Sequence, residues 1–79
     1  MNKLEDGIWP KEDKYILIKL KLEALYNGGP KYYTVYMDKQ RKDAIRFVEA
    51  WGERYCYWEP CDIESWIYLE DLDRVLNNE

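Results

Sequence analysis

Few residues in this chain are equipped for chemistry. The two cysteines, Cys56 and Cys61, are separated by four residues, Ser65 is the only serine, and there is no histidine. Without imidazole the chain lacks the commonest general base, the usual partner of a nucleophile and the commonest metal ligand. Two thiolates alone cannot close a tetrahedral zinc site within one chain. A disulfide across the turn Tyr57-Trp58-Glu59-Pro60 is geometrically feasible, since cysteines flanking a short loop can face each other. Two reduced thiols in a compact turn is the simpler expectation. Glu59, Asp62 and Glu64 lack the glycine and the bidentate glutamate of a calcium loop, so they read as solvated acids. Ser65 has no base beside it in sequence, and no phosphate-binding, dinucleotide-binding or zinc-protease motif occurs. We expect no enzyme, no cofactor and no metal.

What the chain does carry is aromatic surface and uneven charge. Tyr numbers 8, Trp 4 and Phe 1 in 79 residues. A domain this short buries only ~60–65% of its unfolded surface, and each ring can bury ~150–250 Å2, so about half of the rings must lie outside the core. Tyrosine and tryptophan are favoured at interfaces because they pair a large area with a polar atom. Net charge is −4, made up of +2 over residues 1–58 (nine acids, eleven bases) and −6 over residues 59–79 (seven acids, one base). An acidic quarter repels phosphate and attracts a basic partner.

Two candidate surfaces follow. The first joins Trp58, Trp66 and Tyr68 to Glu59, Asp62, Glu64, Glu70 and Asp71. Aromatic anchors ringed by carboxylates suit a protein partner with a basic surface, including a groove that normally holds nucleic acid. The second joins Tyr32 and Tyr36 to Lys39, Arg41, Lys42 and Arg46. Rings and bases so mixed suit an anionic ligand such as a nucleotide, gathered by a homo-oligomer, or a single nucleic-acid strand. The acidic balance of the whole chain makes nucleic acid the weaker expectation.

The elements that must position these residues are short. Residues 1–12 read as an irregular N-terminal arm broken by Gly7 and Pro10, and residues 13–79 as a single α+β domain. Trp9 should pack on the domain or on a second copy of it. Over residues 14–26, Ile16, Ile18, Leu20, Leu22, Ala24 and Tyr26 alternate with Tyr15, Leu17, Lys19, Lys21, Glu23 and Leu25, the pattern of a half-buried antiparallel strand. Asn27-Gly28-Gly29-Pro30 supplies a turn. A second strand covers Lys31 to Met37, with Tyr33, Val35 and Met37 inward. Asp38 then reads as an N-cap. Ala44, Ile45, Phe47, Val48 and Trp51 give the spacing of an amphipathic helix over Lys39 to Ala50, stopped by Gly52. Tyr55 to Trp58 is a third strand, ended by Pro60. Ser65 to Leu69 reads as a fourth, with Ile67 and Leu69 inward, followed by a short helix whose first turn holds Glu70 and Asp71; the competing reading is one continuous helix with Asp62 as N-cap. The expected fold is a small antiparallel sheet of three to four strands, ordered β-β-α-β-(β)-α, with one or two helices on one face.

No run approaches the ~20 apolar residues of a membrane helix, and the charged start MNKLEDGIWPKED contains no signal-peptide core. A cytoplasmic location with reduced thiols is expected. Size and charge, though no motif, match the stoichiometric inhibitors that phages and other mobile elements encode, anti-CRISPR proteins among them. The leading expectation is therefore a non-enzymatic protein-interaction module that blocks a host protein, with a homodimer as plausible as a monomer.

Overall fold

Strand β1, Tyr15–Leu20, is an interior strand of the sheet, paired on both sides. In this computed structural model, which describes residues 1–25, 29–41, 44–50 and 57–77, Ile16, Ile18 and Leu20 are buried while Leu17 and Lys19 are half-buried. The expected alternation is met, because one face of the strand meets the core and the other does not. The strand ends sooner than the pattern suggests. Leu22–Ala24 turns into a 3-10 helix, and Leu22 is left 77% exposed.

On one side β1 pairs with β2, Tyr32–Arg41, which pairs in turn with β3, Ala44–Glu49, and β3 with the two-residue β4, Tyr57–Trp58. On its other side β1 pairs with β5, Ile63–Tyr68, from which α1, Leu69–Asn77, continues directly. The sheet is antiparallel and five-stranded, in the order β4-β3-β2-β1-β5. Short α1 packs against β5 and β1, so the fold is a small, sheet-dominated α+β one.

This corrects the expected order. The segment read as an amphipathic helix over Lys39 to Ala50 is strand in its described residues up to Glu49: β2 runs on to Arg41 and β3 takes up Ala44–Glu49. Short apolar runs satisfy a period of 3.6 and a period of 2 equally well, and pairing decides between them. Here Phe47 lies opposite Met37 and Val48 opposite Tyr36, contacts no isolated helix could make. Lys39 and Arg41 are consequently not crowded at a helix start. Lys42, Gly52 and Tyr55, like Cys56, lie outside the described residues.

β5 holds a second correction. Its pairing with β1 shifts between Lys19 and Leu20. Such a bulge puts one extra residue on one strand and reverses which side chains face inward beyond it. Ile63 and Trp66 are both buried as a result, at 3% and 1% exposure, whereas Ile67 and Leu69, the residues expected inward, are only half-buried.

The core formed by Ile16, Ile18, Leu20, Val35, Met37, Phe47, Ile63 and Trp66 is completed by Leu4 from the N-terminal arm. A 3-10 turn at Leu4–Asp6 delivers Leu4 inward and is closed by Gly7, whose N–H donates to Leu4 O at 2.9 Å. Gly7 has φ +78°, the left-handed region in which any side chain is strained. Two backbone bonds between Asn2 and Trp66, each 2.8 Å, attach the arm to the outer edge of β5. That edge would otherwise expose unpaired amides. Pro10 is buried, and Trp9 stacks on Phe47 with centroids 6.5 Å apart. The arm is therefore part of the packing against one sheet face.

Candidate functional site

Cross-strand partners share a face of the sheet, so the pairing fixes which residues lie opposite the core. Tyr57 pairs with Val48, Val48 with Tyr36, and Tyr36 with Tyr15. These four make one continuous row across β4, β3, β2 and β1. The next row on one side holds Arg46 and Asp38, which pair with each other. On the other side come Thr34, Leu17 and Ile67, then Tyr32, Lys19 and Ser65. Tyr15, Tyr32 and Tyr57 remain 52%, 49% and 48% exposed, while Tyr36, Thr34, Leu17, Val48 and Ile67 are half-buried.

The rings on this face are already engaged with their neighbours. Tyr15 meets Tyr36 edge-on, with centroids 6.3 Å apart and planes at 78°. Arg46 lies over the Tyr57 ring at 4.7 Å, a cation–π contact. Arg46 makes no ion pair with its cross-strand partner Asp38, which has no ion-pair partner among the described residues. Lys19 pairs with Glu64 at 3.6 Å. Among the described residues of these rows, Arg46 and Lys19 balance Asp38 and Glu64.

Of the second sequence-derived patch, Tyr32, Tyr36 and Arg46 meet on this face. Lys39 pairs with half-buried Ile45 and belongs to the opposite side. Arg41 ends β2 opposite Ala44, and Lys42 falls outside the described residues. Tyr15, Val48, Tyr57 and Asp38 are members that the sequence reading missed. For Tyr15 the signal was present, since it alternates with Ile16 on the wet side of β1. For Val48 the helical reading of its segment hid it.

The first sequence-derived surface is dispersed. Trp66 is a core residue, its indole N–H donating to Ile8 O at 2.9 Å and its ring meeting Tyr68 edge-on at 4.7 Å. Tyr68 is half-buried on the core side, and its hydroxyl accepts the Lys11 N–H at 3.0 Å. Trp58 packs on Tyr33 with centroids 4.3 Å apart. Glu59 and Asp62 flank a 3-10 turn at Pro60–Asp62, where the Glu59 N–H donates to Asp62 Oδ2 at 3.1 Å. Glu64 meets Lys19, and Asp71 lies 3.9 Å from Arg74. Glu70 accepts a 2.6 Å bond from Lys14. That bond, above all, holds the Glu70 carboxyl below the ordinary carboxylate range and raises the Lys14 ammonium. Of the seven acids in residues 59–79, Glu64 and Glu70 thus meet cations from elsewhere in the chain, and Asp71 meets Arg74 of the same segment.

Cys61 is a free, exposed thiol, 3.8 Å from Glu59 Oε2 and 3.9 Å from Asp62 Oδ1. Ser65 is buried, with its hydroxyl 3.6 Å from Met1 Sδ. Among the described residues no three acids, cysteines or histidines stand close enough to hold a metal ion, and no helix is long and apolar enough to cross a membrane. No protein-family model, curated protein or solved structure matches the chain.

Proposed function

We propose that this chain is a non-enzymatic protein-binding module that docks a partner through its tyrosine-bearing sheet face. The observation that carries this reading is the row Tyr57–Val48–Tyr36–Tyr15, which crosses four strands opposite the core. A face of tyrosine, aliphatic residues and one arginine, poor in lysine and glutamate, has the composition of a protein interface. Its rigid rings lose little entropy on binding.

Ring geometry separates this reading from a nucleic-acid platform. Bases stack on open aromatic faces beside a cationic groove. Here the Tyr57 ring lies under Arg46, Tyr15 meets Tyr36 edge-on, and the described residues of the face have no positive excess. Blockade of a basic host protein by carboxylates in place of phosphates draws less support. Trp66 is buried, and Glu64, Glu70 and Asp71 already meet cations of their own chain.

The test compares two variants in a binding assay against proteins of a host lysate and against a single-stranded oligonucleotide. Tyr32→Ser/Tyr57→Ser should abolish capture of the protein partner, and Glu59→Gln/Asp62→Asn/Glu70→Gln should leave it unchanged. The reverse pattern supports the acidic surface. Salt-sensitive oligonucleotide binding lost in the tyrosine variant supports the nucleic-acid reading.

A further inference from the structure

We propose that the tyrosine face closes on the same face of a second copy of this chain, about a two-fold axis running parallel to the strands between β2 and β3. The inference rests on the reading of that face as a docking surface and names its occupant.

An axis in that position exchanges β2 with β3 and β1 with β4, and leaves every cross-strand row in place. Residues paired within one sheet then face each other between the two sheets. Arg46 comes opposite the partner's Asp38, and Asp38 opposite the partner's Arg46. Asp38 has no ion-pair partner of its own among the described residues, and Arg46 has only the Tyr57 ring. Val48 comes opposite the partner's Tyr36, a small side chain against a large one. Tyr57 comes opposite the partner's Tyr15. An isologous contact demands such a self-complementary patch, and two sheets with nearly aligned strands are an ordinary packing arrangement, ~10 Å apart and about 30° from parallel.

Charge favours the same occupant. The described charges of these rows, Arg46 and Lys19 against Asp38 and Glu64, balance, which offers little to a strongly basic or acidic partner but lets the rows meet themselves without repulsion. Size sets the strength. Four strands ~4.8 Å apart and four rows ~6.8 Å apart give a footprint of roughly 400 Å2 per copy. That is below the ~800 Å2 per partner of a standard interface, so the dimer is weak and concentration-dependent.

The test uses two charge reversals and their mixture. In Asp38→Arg two arginines meet across the axis, and in Arg46→Asp two aspartates do. Sedimentation equilibrium of the wild type over a concentration series should give a mass rising towards two chains. Each variant alone should associate more than about tenfold more weakly, since like charges now oppose each other. An equimolar mixture of the two variants should recover the wild-type mass, because each supplies the charge the other lacks. Thermal melts establish that both variants are folded. Val48→Lys, which sets an ammonium against the partner's Tyr36, should give the same loss without touching the charge pair.

A wild type that stays monomeric up to about 1 mM (an affinity weaker than ~4 kcal/mol) overturns the proposal. So does a mixture no heavier than its parts, or a Val48→Lys variant as heavy as the wild type. These results leave the docking reading itself standing wherever Tyr32→Ser/Tyr57→Ser still abolishes capture of a different protein.

Discussion

Replacing Trp66 separates two roles for one residue: partner-facing anchor, as its aromatic and acidic neighbours in sequence suggest, or core keystone. At 1% exposure its ring meets Tyr68, and its indole N–H donates to Ile8 O in the N-terminal arm. Truncating a buried tryptophan to alanine costs ~3–5 kcal/mol through lost transfer energy and the cavity left behind. The orphaned Ile8 carbonyl regains water once the site opens, so it adds at most about 1 kcal/mol. A chain of 79 residues, at ~0.05–0.15 kcal/mol per residue, has a total stability of roughly 4–12 kcal/mol. Trp66→Ala should therefore consume about a quarter or more of it. Trp66→Phe keeps most of the volume, loses the indole donor, and should cost about 2 kcal/mol, equivalent to ~8–16 °C in melting temperature for a domain this small. Urea unfolding followed by far-ultraviolet circular dichroism measures both. An exposed anchor would change stability by no more than ~0.5 kcal/mol. A Trp66→Ala midpoint within that margin of the wild type would refute the placement of Trp66 and, with it, the anchoring of the arm.

Gly7→Ala isolates backbone strain, because an added Cβ meets nothing within 4 Å while φ is +78°. It should destabilise the fold by ~1 kcal/mol on the urea midpoint. Leu22→Lys, at a residue 77% exposed, should leave the midpoint within about 0.5 kcal/mol, whereas a large loss would restore β1 to the length its alternation suggests. The Lys14–Glu70 pair predicts a pH dependence. Glu70 titrates low when folded, so its contribution is present above the unfolded-state carboxylate pKa and disappears as pH falls through the folded value. Lys14 titrates high when folded, so its contribution is present below the unfolded-state lysine pKa and disappears as pH rises through the folded value. Glu70→Gln should flatten part of the acid limb of a melting-temperature profile, and Lys14→Met part of both limbs. An unchanged profile in either variant would show that the pair contributes nothing in solution.

Period-two alternation made β1 and β2 legible. Ile16, Ile18, Leu20, Val35 and Met37 are buried as expected, and the expected strand-then-helix at the C-terminus is seen as β5 and α1. The segment Ala44–Glu49 was misread because six residues with Ile45, Phe47 and Val48 satisfy both periods. Only pairing with β2, a contact between distant parts of the chain, selects the strand. One local clue did oppose a helix. Lys39 and Arg41 would have stood at its N-terminal end, where the dipole disfavours cations, and in β2 that conflict vanishes. Trp66 faces inward because it lies opposite Ile18, and Ile63 joins it in the core only through a bulge opposite Lys19 and Leu20, which no pattern within β5 announces. The candidate face follows the same logic. Tyr15, Tyr36, Val48 and Tyr57 stand far apart in sequence, and only the strand order makes them a row. The acidic C-terminal quarter is a property of the sequence, whereas Lys14 and Lys19 reach across the fold to Glu70 and Glu64.

The central claim tested here is that the tyrosine row closes on the same row of a second copy of this chain. Tyrosine-selective chemical footprinting, read by mass spectrometry at dilute and concentrated protein, tests it residue by residue. Tyr15, Tyr36 and Tyr57 should lose reactivity together as concentration rises, while Tyr33 and Tyr68 on the core side stay constant. Uniform reactivity at every concentration, or protection confined to Trp9 and the arm in a parallel tryptophan-selective reaction, would contradict it.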